Sequence, residues 1–264
     1  MRSPAIAGIA RAALPSTATG QAMTLLLVFG AVSPVAAQSF NVDLDVVGST
    51  PEKGGGAPSN TFGAAAGQPG EWNSILPTSS GPLSLFDLNG DVTSVTMSVS
   101  SPDGFDGFAF NNPANTGDFA LLFNDAASIG SLFDGGTRTH TFNGLMDGLY
   151  AVYTYGTPPP GTAGELFITI PGSSEGTLMT SGAMTPNTFE LGVTHVIHTI
   201  EVVGGTFTIE LINEPGTAPA YVNGFQLVII PAPGTLALLL LVPLTGNRRG
   251  RKVASSTTAP HVMA

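Results

Sequence analysis

The residues able to do chemistry in this chain are few, and most lack the company that chemistry needs. No cysteine occurs among the 264 residues, which removes disulfides, thiolate metal sites and cysteine nucleophiles. Asp87, Asn89 and Asp91 set side-chain oxygens at alternate positions, as a calcium loop opens. That loop next needs a glycine, where Val92 stands, and a closing glutamate, where Ser98 stands. A solvated turn between strands is the expectation for 87–91. His195 and His198 lie three apart in an alternating run, so on a strand they face opposite sides. His198 shares parity with Val196, Ile200 and Val202 and is expected as a hydrogen-bonded core residue; His195 shares parity with Glu201 and is expected at the surface. His140 stands near Arg138 in a further strand candidate. Asp43 with Asp45, or Glu201 with Glu210, could pair as glycosidase carboxylates, a matter only geometry decides. No nucleophile elbow, metalloprotease motif or phosphate loop is present; Gly54-Gly55-Gly56 lacks the strand and the lysine-serine pair of such a loop. No catalytic residue is assigned and no enzyme is expected. For binding, a surface platform of aromatics would be diagnostic, with Trp72, Tyr150, Tyr153, Tyr155 and Tyr221 as candidates; Tyr153 and Tyr155 share parity and could line one face.

The elements that must hold these residues read as strands. Phe40, Val42, Leu44 and Val46 alternate with Asn41, Asp43 and Asp45. Runs at 92–99, 149–155, 166–170, 193–203, 206–212 and 221–230 are rich in β-branched and aromatic residues. Asn89-Gly90, Asn143-Gly144, Asp147-Gly148, Gly204-Gly205 and Asn223-Gly224 punctuate them as turns. Many short strands between such turns predict an all-β sandwich or barrel. Residues 118–133 differ: Phe119, Leu122, Phe123 and Ala126 recur at helical spacing, Asp118 could cap the start, and Asp134-Gly135-Gly136 could end it. The spacing predicts one amphipathic helix there. The stretch 48–82 is loop-like, yet Phe62, Trp72, Ile75 and Leu76 predict that it folds onto the sandwich.

Charge divides the chain into three. With 34 glycines, 21 prolines and 10% charged residues, collagen and coiled coil are excluded or disfavoured, and 42% hydrophobic content argues against wholesale disorder. All 18 acidic residues fall within 43–214, where Lys53 and Arg138 are the two basic ones, so this stretch carries a formal −16. Such a body offers no footprint for nucleic acid or an anionic membrane. Both ends are basic. Arg2 and Arg11 precede an apolar run, Met23 to Val32, then Val35-Ala36-Ala37. This is the pattern of a signal peptide over 1–37, cleaved between Ala37 and Gln38. At the other end Pro231-Ala232-Pro233 precedes an apolar run from Thr235 to Leu244 and a cluster of Arg248, Arg249, Arg251 and Lys252.

That last order of features resembles the PEP-CTERM sorting signal of Gram-negative bacteria that make exopolysaccharide. The resemblance implies export by the secretion machinery, transient retention in the inner membrane with the basic cluster cytoplasmic, and removal of a tail at 231–264 by an exosortase-type enzyme. The body is similar to exported planctomycete PEP-CTERM proteins. The residues that carry this are Phe62-Gly63-Ala64-Ala65-Ala66 with Trp72-Asn73, Asn143-Gly144-Leu145 leading into Gly148 to Tyr153, and Tyr221-Val222-Asn223-Gly224-Phe225-Gln226-Leu227-Val228. It implies a galactose-binding-like jelly roll over 38–230, an antiparallel β-sandwich with one short helix. The expectation is therefore an exported protein of the envelope, periplasm or exterior, structural or associated with extracellular polysaccharide. A carbohydrate-binding module is the first alternative and a glycan-active hydrolase the second. No cofactor is expected. Structural calcium is left open, with Asp103, Asp106 and Asp118 available and no full motif to support it.

Overall fold

The computed structural model describes residues 38–46, 50–79, 81–101, 107–130 and 134–231. The signal-peptide and sorting-tail readings, apart from Gln38 and Pro231, lie outside these residues. Strands occur in the order β1 (Phe40–Asp43), β2 (Trp72–Ser74), β3 (Leu83–Phe86), β4 (Val92–Ser100) and β5 (Gly107–Ala109). A short helix α1 (Asp118–Phe123) precedes β6 (Asp125–Ile129), β7 (Gly136–Asn143), β8 (Gly148–Tyr155) and β9 (Leu166–Thr169). β10 (Thr177–Thr180), β11 (His195–Val202), β12 (Thr206–Asn213), β13 (Ala220–Val222) and β14 (Gly224–Ile230) complete the order. A five-stranded sheet, β11-β8-β14-β1-β2, faces a six-stranded one, β10-β9-β12-β7-β4-β3, and a small separate sheet, β13-β6-β5, adds Ala127, Ile129, Ala220 and Val222 to the same core. The expected jelly-roll-like sandwich is present, antiparallel except where β1 pairs parallel with β2.

The core lies between the two large sheets. Phe40, Val42 and Leu44 enter it from β1 and its extension, Phe142 from β7, Phe207 from β12, and Phe225 and Leu227 from β14. Phe142 stacks on Phe207 at 5.2 Å and meets Phe225 edge-on at 6.1 Å. The alternation of β1 is as expected, but its polar side is not solvated: Asn41 and Asp43 are fully buried. The reason is a second layer. Residues 57–68, α1 and the segment around Met184 and Phe189 lie over the outer face of the five-stranded sheet, forming a smaller core with Trp72, Leu122, Phe123 and Tyr155. The loop-like stretch thus folds onto the sandwich as predicted, and Trp72 donates from Nε1 to the Phe62 carbonyl at 3.1 Å.

Two elements differ from expectation. The helix ends at Phe123 instead of continuing, and 125–129 form β6, paired with β13 and β5. Asn124 stops it: its backbone closes on Ala120, while its buried amide donates to the carbonyls of Glu52 and Asn112. Gly117 occupies the cap position, and Asp118 accepts from the Ser59 backbone and hydroxyl. The run 221–230 is two strands in different sheets. Asn223 joins them, its Oδ1 accepting from Thr157 N–H at 2.8 Å and its Nδ2 donating to the Asp125 carbonyl at 2.6 Å. The expected Asn223-Gly224 turn is therefore a sheet-to-sheet step.

Candidate functional site

The outer face of the five-stranded sheet was the natural place for an aromatic platform. Its pairing aligns Trp72, Asn41, Gln226, Tyr153 and Ile197 in one row, and Ser74, Asp43, Gly224, Tyr155 and His195 in the next. Tyr153 and Tyr155 do share this face, but Trp72 and Tyr155 are buried beneath Phe62, Phe119, Phe123 and Phe189. Asn41, Gln68 and Gln226 weld the cover down: Gln68 and Gln226 both donate to Asn41 Oδ1, at 2.9 and 2.8 Å. The Tyr155 hydroxyl donates to Gln226 and accepts from Ala65 N–H, and burial pushes its pKa far up. Tyr150 is in the main core, its hydroxyl donating to the Met146 carbonyl, and Tyr221 is buried against Phe108. Four of the five candidates are therefore interior, and only Tyr153 is half-exposed, so no aromatic platform forms at the surface.

The same cover corrects His195. It is 6% exposed, between Tyr153, Tyr155 and Phe189, with Nδ1 against the Thr194 hydroxyl at 3.1 Å. His198 is buried as expected, with Nε2 3.0 Å from the Gly176 carbonyl. Burial lowers the pKa of both. His140 is wholly buried on Phe225 with both ring nitrogens unpartnered; burial, then the Arg138 charge, hold its pKa well below the usual range. The 87–91 segment is the expected turn: Asp87 Oδ1 accepts from Asn89 and Asp91 N–H. Asp118 is engaged with Ser59, and Asp103 and Asp106 lie outside the described residues. Glu201 and Glu210 line one open groove of about 610 Å³ with Thr206 and Thr208, Glu201 exposed and Glu210 half-buried. Asp43 is buried beside Asp45 and Asp125, where burial and those neighbouring charges push its carboxyl well up. It has no access to a substrate.

A pocket that no motif announced lies at one pole, beyond the ends of β8 and α1. Three segments enclose about 210 Å³: 110–115, the proline arch 157–162, and 183–186. Phe110, Phe123 and Met184 supply apolar wall, Asn112, Asn115 and Thr157 the polar groups, and no charged side chain lines it. The walls are tied together. Asn187, in a left-handed conformation at φ 51° that asparagine tolerates, accepts from Thr116 N–H and donates to its hydroxyl. Asn115 donates to Asn124 Oδ1 at 3.2 Å and towards Met184 sulfur at 3.7 Å. Asn115 is 5% exposed, yet its Oδ1 has no partner. A buried amide oxygen left unpaired costs about 1–3 kcal/mol. The volume is below the ~300 Å³ at which pockets begin to hold drug-sized ligands. It suits one small, uncharged, hydroxylated ring.

No protein-family model matches the sequence, and no curated protein does. Among solved structures, a family 61 carbohydrate-binding module in complex with β-1,4-galactotriose is 12% identical, with a TM-score of 0.33 over 51% of this chain and 88% of that one. A family 35 module from Cellvibrio japonicus is 15% identical, with a TM-score of 0.26 over 40% and 72%. An exo-β-1,3-galactanase from Phanerochaete chrysosporium in complex with β-1,3-galactotriose is 14% identical, with a TM-score of 0.29 over 54% and 32%. Likenesses of this degree carry no argument about what this chain binds.

Proposed function

We propose that this chain is an exported, non-catalytic module that binds one uncharged sugar ring of an extracellular polysaccharide in the polar pocket at Asn115. The observation that carries the reading is the unpartnered, buried Asn115 Oδ1 in the wall of a pocket with apolar sides and no charge. A small rotation of the Asn115 amide would bring this oxygen to a sugar hydroxyl in the pocket, and the carbon face of the ring suits Phe110 and Phe123. A body of net −16 favours neutral sugars over uronic acids by repulsion. The signal pattern ending at Ala37 and the Pro231-to-Lys252 tail support export, with the exosortase-type enzyme as the processing partner; a mature mass starting at Gln38 is the expected readout. A hydrolytic reading has no comparable support, because the Glu201 and Glu210 carboxylates sit in an open groove.

Calorimetric titration with galactose, glucose, xylose and their neutral oligomers tests the binding. A saturable site is expected for at least one neutral sugar, with galacturonic and glucuronic acid weaker. Asn115→Leu should weaken it about 10-fold or more, given the worth of a buried hydrogen bond. Ala183→Trp, an exposed change at the rim, should block it with the melting temperature unchanged. Failure of all neutral sugars to bind, or full affinity in both variants, sinks the proposal.

A further inference from the structure

Far from the Asn115 pocket, a length of strand edge is left without a neighbour. β12 pairs with β7 along its whole course, from Thr206 to Asn213, but with β9 only from Glu210 to Ile212. β9 stops at Thr169 because Pro171, which has no N–H for a ladder, follows two places on, and Gly172, at φ 92°, turns the chain. On that side the main chain of residues 206–209 has no strand partner among the described residues. The space beside it is the open groove of about 610 Å³ that Glu201 and Glu210 line, and they are its only charged groups. Ile200 and Phe207 lie buried in its floor and Val203 is exposed at its rim. The edge of β11 is treated differently. Its Thr199 N–H donates to Glu175 Oε2 at 3.1 Å, and the Ser173 hydroxyl donates to the same oxygen at 2.7 Å. The Ser173 bond first, then that of Thr199, lowers the Glu175 pKa to about 2, so an ionised carboxylate blunts β11 as natural sheets blunt their edges. Among the described residues no side chain caps 206–209 in this way.

We propose that this groove receives a short, extended, basic peptide segment of a partner protein, which joins residues 206–209 of β12 as an added strand. The open main chain supplies ladder bonds whatever the guest's side chains are. Those side chains alternate in direction, and the two directions meet different surroundings. One set lies over Phe207 and Ile200 and calls for Val, Ile or Thr. The other lies beside Thr206, Thr208 and Glu210, which share the outer face of β12, with Glu201 across the groove, and calls for Lys or Arg. Four residues of open edge span about 13 Å at ~3.3 Å per residue, so a segment of about four to six residues fills it. The formal −16 of the body draws such a segment in, and no basic side chain in the groove repels it. A second copy of the body is poorly matched. Lys53 and Arg138 are its two basic residues, and Arg138 is buried in β7.

The test titrates the protein into a labelled, end-capped synthetic peptide of alternating Lys and Val and reads fluorescence anisotropy, so it does not depend on any sugar binding. One saturable site per chain is expected, with a Glu-Val peptide of the same pattern binding at least about 10-fold more weakly. N-methylation of alternate peptide nitrogens keeps the charge but removes ladder donors, and should weaken binding about 10-fold or more. The double variant Glu201→Gln, Glu210→Gln should weaken it about 3- to 10-fold. Val203→Arg, at the exposed rim, should do the same with the melting temperature unchanged. No saturable binding of the Lys-Val peptide overturns the proposal. So does equal affinity for the N-methylated peptide, which would mean electrostatic adhesion without strand pairing, or full affinity in both protein variants. A dimer in sedimentation that Val203→Arg breaks and the peptide does not would put a second copy in the groove, and overturns it too.

Discussion

His195 shows how much a covering layer changes one residue. Placed by parity with exposed Glu201, it is instead packed by three aromatic rings and bonded to Thr194. His195→Ala should therefore cost about 1–3 kcal/mol in urea melts, as His198→Ala should. A loss under about 0.5 kcal/mol at His195 alone would mean that the layer is not closed over it. His140 allows a sharper test. Its folded pKa lies below the ordinary value near 6.5, so below that pH the unfolded chain binds a proton the native one does not. The stability that neutral His140 gives is present above about pH 6.5 and lost as pH falls. His140→Phe removes this dependence. Relative to the parent it should gain up to about 1.4 kcal/mol per pH unit between pH 6.5 and 5, whatever its stability at pH 7. A constant difference between the two proteins across that range would contradict the burial of a neutral ring.

At the scale of elements, β13 and β14 are separated by a contact rather than by a turn. A Cβ on Gly224 would lie 2.4 Å from the Val42 carbonyl oxygen, so β1 and β14 can pair only without one. Gly224→Ala should cost about 2–3 kcal/mol through displacement of β1. Gly216→Ala, at φ 81° with open space around it, should cost about 1 kcal/mol, from backbone strain alone. Equal losses would place the constraint in the backbone rather than in the packing. The period-two pattern made the long strands legible, because alternation is a property of a single strand. It did not reveal what lies over each face, since the cover comes from residues 57–68 and from Phe189, distant in sequence. Helical spacing at Phe119, Leu122 and Phe123 was real for six residues; Asn124 ended it through bonds to Glu52 and Asn112 that no local rule contains. Asn115 was illegible for the same reason. Its pocket is assembled from three separate segments, and its unpaired oxygen is a fact of packing.

The whole molecule has two unlike poles. β8 spans about 25 Å at ~3.3 Å per residue. At its start Leu149 pairs with Ile230, one residue before Pro231, and Gln38 accepts from the Met146 N–H. At its far end Tyr155 pairs with Gly224 and His195, next to the proline arch of the Asn115 pocket. A folded protein fused directly after Pro231 should thus leave sugar affinity unchanged within about twofold, while two residues inserted in the arch should abolish it. Loss of binding in the Pro231 fusion, with the melting temperature preserved, would contradict this polarity. The consequence is a division of labour along one axis. A partner attached at Gln38 or Pro231 would hold the body at the end of β8 opposite the pocket, which on the proposed function leaves the pocket free for sugar.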